Sequence, residues 1–325
     1  MKDAMHLVYG TDDNYWFPTA VSAASAAFGT KSELAIHLFD LGVSDAHYDE
    51  HVAIIRKANP AAKCVRHVLD KKIFEGFGAW RGSLATYSRM LIAEILPDLD
   101  WAIYVDGDTL WLGDVAKLWA LRDESKLIQA SIDPPTTMET VNTEFAWYAE
   151  RGLDVDPSGY LCMGLMLANL KKMREERVAE KCQSFMQKFP CPHIVDQTVL
   201  NYVCQGQTAP LPPEWGVFSV WHGRVRLTGP CCIHYCQDLP WKRHKINRLI
   251  SDIILPWYVF CERILGLDLR RRYLSLFSWG WRRLAFVLLK HNQWILRIHP
   301  YVRSRLRNTH GLTREERQAI EGMLK

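Results

Sequence analysis

The chain lacks any long apolar run and any pattern of a secretory leader. No stretch of about 18 apolar residues occurs, and the most apolar segments, IILPWYVFC and LAFVLL, are shorter and flanked by charge. The first ten residues, MKDAMHLVYG, contain no apolar core of the kind that a signal peptide carries. We therefore expect neither a membrane-spanning helix nor export.

Paired cysteines and internal repeats are also missing. The nine cysteines are odd in number and scattered along 325 residues, so they do not suggest a disulfide framework. No low-complexity tract occurs, and the composition, 48% hydrophobic and 23% charged, is that of a globular protein. These features indicate a reduced, cytosolic protein with a large core.

Charge is unevenly distributed along the chain. Residues 1–241 carry 22 Lys and Arg against 30 Asp and Glu, whereas residues 242–325 carry 18 against 6. We therefore predict two regions: a catalytic domain over residues 1–241 and a helical, basic and aromatic region over residues 242–325.

Strand-like and helix-like segments alternate in the first region. The segments HLVYG, ELAIHLFD, CVRHVLD, WAIYVD, LIQASID, GYLCMGLMLANL and PCCIHYC have strand character, and most are separated by helical patterns. The alternation predicts an α/β fold with a mixed, mostly parallel sheet flanked by helices.

The stretch YVDGD places two carboxylates, Asp106 and Asp108, directly after an apolar strand. Ligands of such sheets bind where strands end, and two carboxylates one residue apart can hold Mg²⁺ or Mn²⁺. The alternative is that Asp-Gly-Asp forms only a turn. A third interpretation is a haloacid-dehalogenase-like phosphohydrolase, since D-x-D-x-T would supply a nucleophile (Asp106), an acid/base (Asp108) and a phosphate contact (Thr109). Its late acidic pair is not evident in the sequence.

Several separated segments together resemble glycosyltransferase family 8, the retaining sugar-nucleotide transferases. The resemblance extends over about residues 5 to 245 and rests on GTDDNYWFPTAVSAAS, SLATYSRMLIAEILPDLDWAIYVDGDTLWLGD, ASID, GYLCMGLMLANLKKMRE, VDQTVLNYV, LPPEWGVF and CIHYCQDLPW. It implies a GT-A-type nucleotide-binding fold and transfer of a hexose, galactose or glucose, from a UDP-sugar to a saccharide.

The resemblance also implies roles for particular residues. Asp106, Asp108 and His234 would bind manganese, with magnesium as the alternative. Further positions would contact the donor nucleotide or sugar, or take part in catalysis. The donor-binding positions are Asp12, Asn14, Arg89, Asp106, Gly107, Asp108 and Lys242, and the catalytic positions are Asp133, Asp196 and Gln197. Taken alone, Arg89 could lie on a solvated helix face, and Asp196 could be a helix N-cap.

Retention of configuration allows two mechanisms. Either Asp196 or Gln197 forms a covalent intermediate, or the acceptor attacks from the face that UDP leaves. An amide is a poor nucleophile and no dedicated base is evident, which favours the second mechanism.

Two family motifs are altered in this chain. Residues 161–164 read Leu-Cys-Met-Gly where many members have Phe-Asn-Ala-Gly. The segment from His234 to Trp241 is one residue shorter than usual and lacks a glycine and a lysine, for which Lys242 is a candidate substitute. These losses leave open a degenerate, non-catalytic member that acts at a membrane.

The segment CCIHYC allows a zinc interpretation, because Cys232, His234 and Cys236 would share one strand face. No second ligand pair accompanies them, so buried structural cysteines are the favoured interpretation.

The basic region interleaves arginines with aromatic residues, as in LRRRYLSLFSWGWRRLAF. This pattern suits an anionic membrane surface, and no nucleic-acid-binding motif accompanies it. The alternative is a helical subdomain that packs on the catalytic domain with a solvated basic face, and we expect both roles together. We expect a cytoplasmic enzyme, peripheral on the inner face of the membrane, that acts on a saccharide or lipid-linked glycan in lipopolysaccharide or other surface glycan synthesis.

Overall fold

The structure, a computed structural model, describes residues 4–80, 82–132, 138–190, 192–218, 226–236, 239–241, 252–269 and 312–324, without the side chains of 138–141. Its strands are β1 (Met5–Thr11), β2 (Leu34–Asp40), β3 (Lys63–Val68), β4 (Trp101–Val105), β5 (Thr109–Leu112), β6 (Ile128–Ile132), β7 (Leu161–Asn169), β8 (Thr208–Pro210), β9 (Val217–Phe218) and β10 (Cys231–His234).

The α-helices alternate with these strands. They are α1 (Trp16–Gly29), α2 (Asp45–Ala58), α3 (Ile92–Ile95), α4 (Ala116–Trp119), α5 (Met138–Ala149), α6 (Leu170–Glu175), α7 (Val178–Lys188), α8 (Val195–Val203), α9 (Leu255–Val259) and α10 (Arg314–Met323). Short 3₁₀ helices cover Lys71–Phe74, Ala85–Leu91, Pro157–Gly159, Pro213–Gly216 and Asp252–Ile254, and a π-helical turn covers Phe260–Ile264.

Seven strands form the main sheet, in the order β3-β2-β1-β4-β7-β6-β8. The first four are parallel, β7 is antiparallel to β4 and β6, and β8 is parallel to β6. Strands β1, β2 and β7 are almost wholly buried, which explains their near-continuous apolar sequences. The predicted α/β class and mostly parallel sheet are confirmed.

Two hydrophobic clusters cover the two faces of this sheet. Neighbouring residues of β4 alternate between them: Ile103 and Val105 join the cluster around α1, and Ala102 and Tyr104 join the cluster around α3, α6, α7 and α8. The alanine-rich α1 can pack closely on β5, and Ser25 accepts a hydrogen bond from Trp111 N at 2.9 Å.

Three strands form a second sheet, in the order β5-β10-β9. Its strand β5 follows β4 of the main sheet in the sequence, with only residues 106–108 between them. Strand β10 runs antiparallel to β5, with His234 opposite Thr109, and parallel to β9. The sequence patterns did not predict β5, β8 or β9, each of which has only two to four residues. The main chain thus passes from one sheet to the other at residues 106–108.

Two helical predictions differ from the structure in detail. The segment SLATYSRMLIAEIL is 3₁₀-helical over Ala85–Leu91 before a short α-helix. The segment KKMREERVAEKCQSFMQKF forms two helices, α6 and α7, because the chain turns at Arg177, whose φ of 54° is left-handed.

Described parts of the predicted basic region pack into the core of the first region. Trp257 is fully buried in the α1 cluster, Tyr235 donates a hydrogen bond to Ile253 O at 3.1 Å, and Tyr258 donates one to Pro240 O at 2.5 Å. No helix in the described ranges is long and apolar enough to cross a bilayer. The domain boundary at residue 241 stays a prediction.

Candidate active site

The Asp-Gly-Asp segment lies at the junction of the two sheets. Asp106 N donates to Gly164 O on β7 at 2.8 Å, and Asp108 O accepts from Tyr235 N at 2.8 Å. Gly107 fits because a Cβ there would lie 2.2 Å from Thr19 Oγ1. The segment is therefore a turn, as the simpler interpretation held, and this turn places two carboxylates beside β10.

Asp106, Asp108 and His234 form the one group of metal-ligand type within the ranges that the structure describes. Their ligand atoms all lie within 4.8 Å of one another. His234 Nε2 is 3.2 Å from Asp108 Oδ1 and 3.8 Å from Asp106 Oδ2. Two carboxylate oxygens and an imidazole nitrogen fit manganese or magnesium, and three protein ligands leave positions for phosphate oxygens. The group does not include Cys232 or Cys236, so this geometry does not support the zinc interpretation.

Gly164 allows the group to assemble. A Cβ at residue 164 would lie 2.4 Å from His234 Cε1 and 2.9 Å from Asp106 Oδ2. Strand β7 therefore contributes empty space to the site, which only glycine provides.

The charges of the group are strongly coupled. Burial, and then the charge of Asp108, raise the pKa of Asp106 to about 6, although Arg89 and His234 partly offset them. Burial opposes the charge on His234, but Asp108 outweighs it and raises the pKa of His234 well above its usual value. A bound cation would replace the proton between these side chains.

Arg89 is a buried link between two carboxylates. Its side chain is 5% exposed, with Nη2 2.5 Å from Asp106 Oδ1 and Nε 2.9 Å from Asp196 Oδ2. The single Nε proton points at Thr86 O, 3.1 Å away, so the Asp196 contact is an ion pair without an aligned hydrogen bond. The alternative of a solvated helix face is wrong for Arg89.

Asp196 and Gln197 lie in the first turn of α8. Asp196 is 2% exposed and accepts a hydrogen bond from Thr86 Oγ1. Ile194 holds the N-cap position, so the N-cap alternative for Asp196 is wrong. Gln197 Oε1 accepts from Met163 N at 3.2 Å, Met163 O accepts from Arg89, and Arg89 pairs with Asp106, so three contacts connect Gln197 to the metal-binding carboxylates.

A cavity of about 390 Å³ opens in front of the carboxylates, a size suited to a small-molecule ligand. Every predicted donor-binding residue that the structure describes lines it: Asp12, Asn14, Arg89, Asp106, Gly107 and Asp108. Asp12 Oδ1 accepts a hydrogen bond from Asn14 N at 3.0 Å, which fixes the turn after β1. Asp133 and Lys242 lie outside the described residues.

Four aromatic residues of this cavity were not selected from the sequence: Tyr15, Trp80, Tyr104 and Trp241. Tyr15 Oη lies 3.5 Å from Asp108 Oδ2, Trp241 packs edge-on against Tyr15 with ring centroids 5.6 Å apart, and Trp80 is 42% exposed. Tyr15 directly follows Asn14, so proximity to a predicted donor residue was the available signal.

Comparison with known proteins agrees with this architecture. The chain is 23% identical over 289 residues to a Haemophilus influenzae protein named "Putative glycosyltransferase", covering 81% of this chain and 84% of that one. It is 24% identical over 212 residues to the lipopolysaccharide 1,3-galactosyltransferase of Salmonella typhimurium, covering 61% of this chain and 59% of that enzyme.

Solved structures show the same fold at low sequence identity. The galactosyltransferase LgtC, in complex with donor and acceptor sugar analogues, superposes with a TM-score of 0.64 at 20% identity, over 86% of this chain and all of LgtC. The bifunctional glycosyltransferase WbbM superposes with a TM-score of 0.65 at 20% identity, and this chain spans about half (48%) of it. The predicted GT-A-type fold is confirmed.

The sequence model of glycosyl transferase family 8 matches residues 6–245, which include the carboxylate turn, Arg89, Asp196 and His234. This match covers most of the chain and agrees with the range over which the sequence motifs resemble the family. The phosphohydrolase interpretation is therefore not retained, and the chain belongs to glycosyl transferase family 8.

Proposed function

We propose that this glycosyltransferase moves a hexose, galactose or glucose, from a UDP donor to a saccharide hydroxyl, with retention of configuration. The observation that carries the proposal is the group of Asp106, Asp108 and His234, whose two carboxylates line the 390 Å³ cavity together with Asp12 and Asn14. The carboxylate group suits a metal-bound diphosphate, and Asp12 and Asn14 can hydrogen-bond the uridine end.

A bound divalent cation, preferentially manganese because one ligand is a nitrogen, would neutralise the diphosphate and stabilise the departing UDP. The protein side chains orient the donor. Arg89, itself on the cavity wall, holds Asp106 in place, and Tyr15 packs beside Asp108 on the same wall. Asp133, Gln197 and Lys242 complete the proposed set, with the first two at the sugar and Lys242 at the diphosphate.

We favour attack from the face that UDP leaves. Asp196 is a poor candidate for the covalent alternative, because it is 2% exposed and its carboxylate is engaged by Arg89 and Thr86. Gln197 is an amide and is therefore a weak nucleophile. The protein's contribution would then be positioning and charge stabilisation.

The acceptor and the place of action are proposed from the relatives and from charge. The lipopolysaccharide galactosyltransferase of Salmonella typhimurium supports a saccharide acceptor on a growing, lipid-linked surface glycan. The basic region over 242–325 would bind the anionic inner face of the membrane, with the enzyme in the cytoplasm. Co-sedimentation with vesicles tests this: binding to anionic vesicles that high salt weakens is expected, and equal binding to neutral vesicles would contradict it.

The function is tested with a panel of UDP-sugars in manganese, magnesium or chelator, measuring released UDP and thermal stability. We expect one UDP-hexose to give metal-dependent turnover, and Asp106→Asn and Asp108→Asn to abolish it. The exposed Asp98 provides a matched control, because Asp98→Asn makes the same chemical change away from the cavity. Failure of every nucleotide sugar to bind with any metal would overturn the proposal and favour the degenerate, membrane-acting alternative.

A further inference from the structure

A chain of buried and half-buried polar side chains extends from Gln197 toward the surface. Gln197 Nε2 donates to Tyr160 Oη at 3.3 Å, Tyr160 Oη lies 3.4 Å from Glu144 Oε1, and His193 Nδ1 lies 2.9 Å from Glu144 Oε2. Three parts of the fold supply these residues: α5 carries Glu144, Tyr160 precedes β7, and His193 precedes α8. No local pattern in the sequence indicates that they meet.

Glu144 is an unusual residue for its position. Its side chain is fully buried, and a buried carboxylate is costly unless it is hydrogen-bonded. Burial raises the pKa of Glu144, although Thr198, His193 and a hydrogen bond from Tyr148 partly offset the shift. Replacing a buried ionisable group by an apolar residue is often neutral or stabilising, so packing alone does not explain a carboxylate at this position.

The hydrogen-bond directions indicate what that purpose is. The Met163 N–H can only donate, so the Gln197 oxygen must face it, and the Gln197 nitrogen then faces Tyr160. Tyr160 accepts from that nitrogen, so its own proton is directed to Glu144. Glu144 therefore fixes the direction of the tyrosine hydroxyl, and the hydroxyl fixes the amide of Gln197.

The backbone between His193 and Gln197 is strained, as expected where surrounding contacts hold a segment in one conformation. Val195 has a φ of 40°, which is uncommon for a β-branched residue, and it lies between His193 and Gln197. The His193–Glu144 contact holds the chain before Val195, and the Asp196–Arg89 ion pair holds it after. Such conformations persist when the surroundings over-determine them.

We propose that Tyr160, Glu144 and His193 are positioning residues that hold the side-chain amide of Gln197 in one orientation toward the donor sugar. The inference rests on the proposed function, in which Gln197 lines the sugar. Fixed geometry matters there, because a misplacement of about 1 Å in a catalytic group can cost about 100-fold in rate.

The test compares Tyr160→Phe with Tyr258→Phe. Tyr160→Phe removes only the hydroxyl that holds Gln197, so kcat is expected to fall about tenfold while KM for the donor and metal affinity stay within about twofold. Tyr258 is the matched control: it is also fully buried, and it donates its hydroxyl to a backbone oxygen, Pro240 O, 2.5 Å away. Tyr148 is unsuitable because its hydroxyl also hydrogen-bonds Glu144. Tyr258→Phe should lower stability but leave kcat within about twofold. Equal loss of kcat in both variants would mean a packing role and would overturn the proposal.

A double-mutant cycle separates this proposal from the proposed function. If Tyr160 acts through Gln197, Tyr160→Phe should cost nothing further in a Gln197→Ala background. Full additivity would overturn the positioning role while leaving the function intact. Unchanged kcat in Gln197→Ala would instead remove Gln197 from the proposed catalytic set, and with it the proposed role of Tyr160.

A second readout does not depend on turnover. The side-chain amide NMR signal of Gln197, assigned by its loss in Gln197→Ala, should shift in Tyr160→Phe and in Glu144→Gln, and stay in place in Tyr258→Phe. Glu144→Gln is informative because a glutamine can donate to Tyr160 and reverse the hydrogen-bond direction. An unmoved signal in both relay variants would overturn the proposal even if no donor sugar were yet known.

Discussion

Substitution of Gly164 by alanine tests directly whether the carboxylate and imidazole group works as one site. The added methyl group would lie 2.4 Å from His234 Cε1, and ordinary contact begins at 3.4 Å, so the ring must move by about 1 Å or β7 must shift. Asp106 Oδ2, at 2.9 Å from the same methyl group, must move as well. Neither side chain can move away freely, because Arg89 is ion-paired with Asp106 and His234 belongs to strand β10.

The expected loss follows from this displacement. A misplacement of about 1 Å should lower kcat about 100-fold, which corresponds to a loss of about 2.7 kcal/mol of transition-state stabilisation. Metal affinity should fall about 10-fold to 100-fold, because the ligand geometry changes while each ligand is retained. Overpacking should cost about 1–3 kcal/mol of folding stability, so the variant should still fold. Manganese titration, UDP release and chemical unfolding measure the three quantities.

Gly229 provides the matched control. A Cβ there has no neighbour within 4 Å, so Gly229→Ala makes the same chemical change in open space and should alter neither metal affinity nor turnover. If Gly164→Ala kept its manganese affinity and its turnover within about twofold of the unmodified protein, the assignment of Asp106 and His234 to one metal site would be refuted.

Three further predictions address other parts of the molecule. Arg89→Met removes the cation between Asp106 and Asp196 and should cost about 3–5 kcal/mol of the free energy of unfolding, measured by urea titration; a loss below 1 kcal/mol would contradict the buried ion pairs. Burial and the imidazoles of His6 and His67 lower the pKa of His37 to about 3, so below pH 6.5 the unfolded chain takes up a proton that the folded chain does not. The free energy of unfolding should therefore fall by about 1.4 kcal/mol per pH unit from pH 6.5 toward pH 3, and this pH dependence should be flatter in His37→Gln. Trp80→Ala removes an exposed aromatic surface from the cavity wall and should raise KM for one of the two sugar substrates about tenfold, with unchanged KM for both as the contrary result.

The parts of the fold that the sequence predicted are those with strong local patterns. The apolar runs that became β1, β2, β4 and β7 identified the main sheet, and the position of Asp106 and Asp108 after β4 identified the site. Strand β5 was not predicted, because a hydrophobic pattern over only four residues does not distinguish a strand from a turn. The meeting of His234 with these carboxylates came from the resemblance to the family, since about 125 residues separate them along the chain.

Contacts set by tertiary packing could not be predicted in the same way. Arg89 lies in a segment whose sequence fits an exposed helix, and only the packing of α8 beside the 3₁₀ helix Ala85–Leu91 buries it between two carboxylates. Glu144 and His193 each look like ordinary surface residues when their segments are considered alone. Their contact depends on how α5 packs against α8, and no local periodicity encodes that.

The passage of the chain between its two sheets has a consequence for the protein's dynamics. Asp106 is anchored to the large sheet through Gly164, whereas Asp108 and His234 belong to the turn and strand of the small one. An ion held by all three would cross-link the sheets, so the opening of the small sheet would be suppressed by occupancy, by about 2.7 kcal/mol at a hundredfold excess over Kd. Amide hydrogen exchange in β9 and β10 would then report on metal occupancy. Substitutions that destabilise the small sheet would weaken ion binding even where they leave the three metal-binding side chains unchanged.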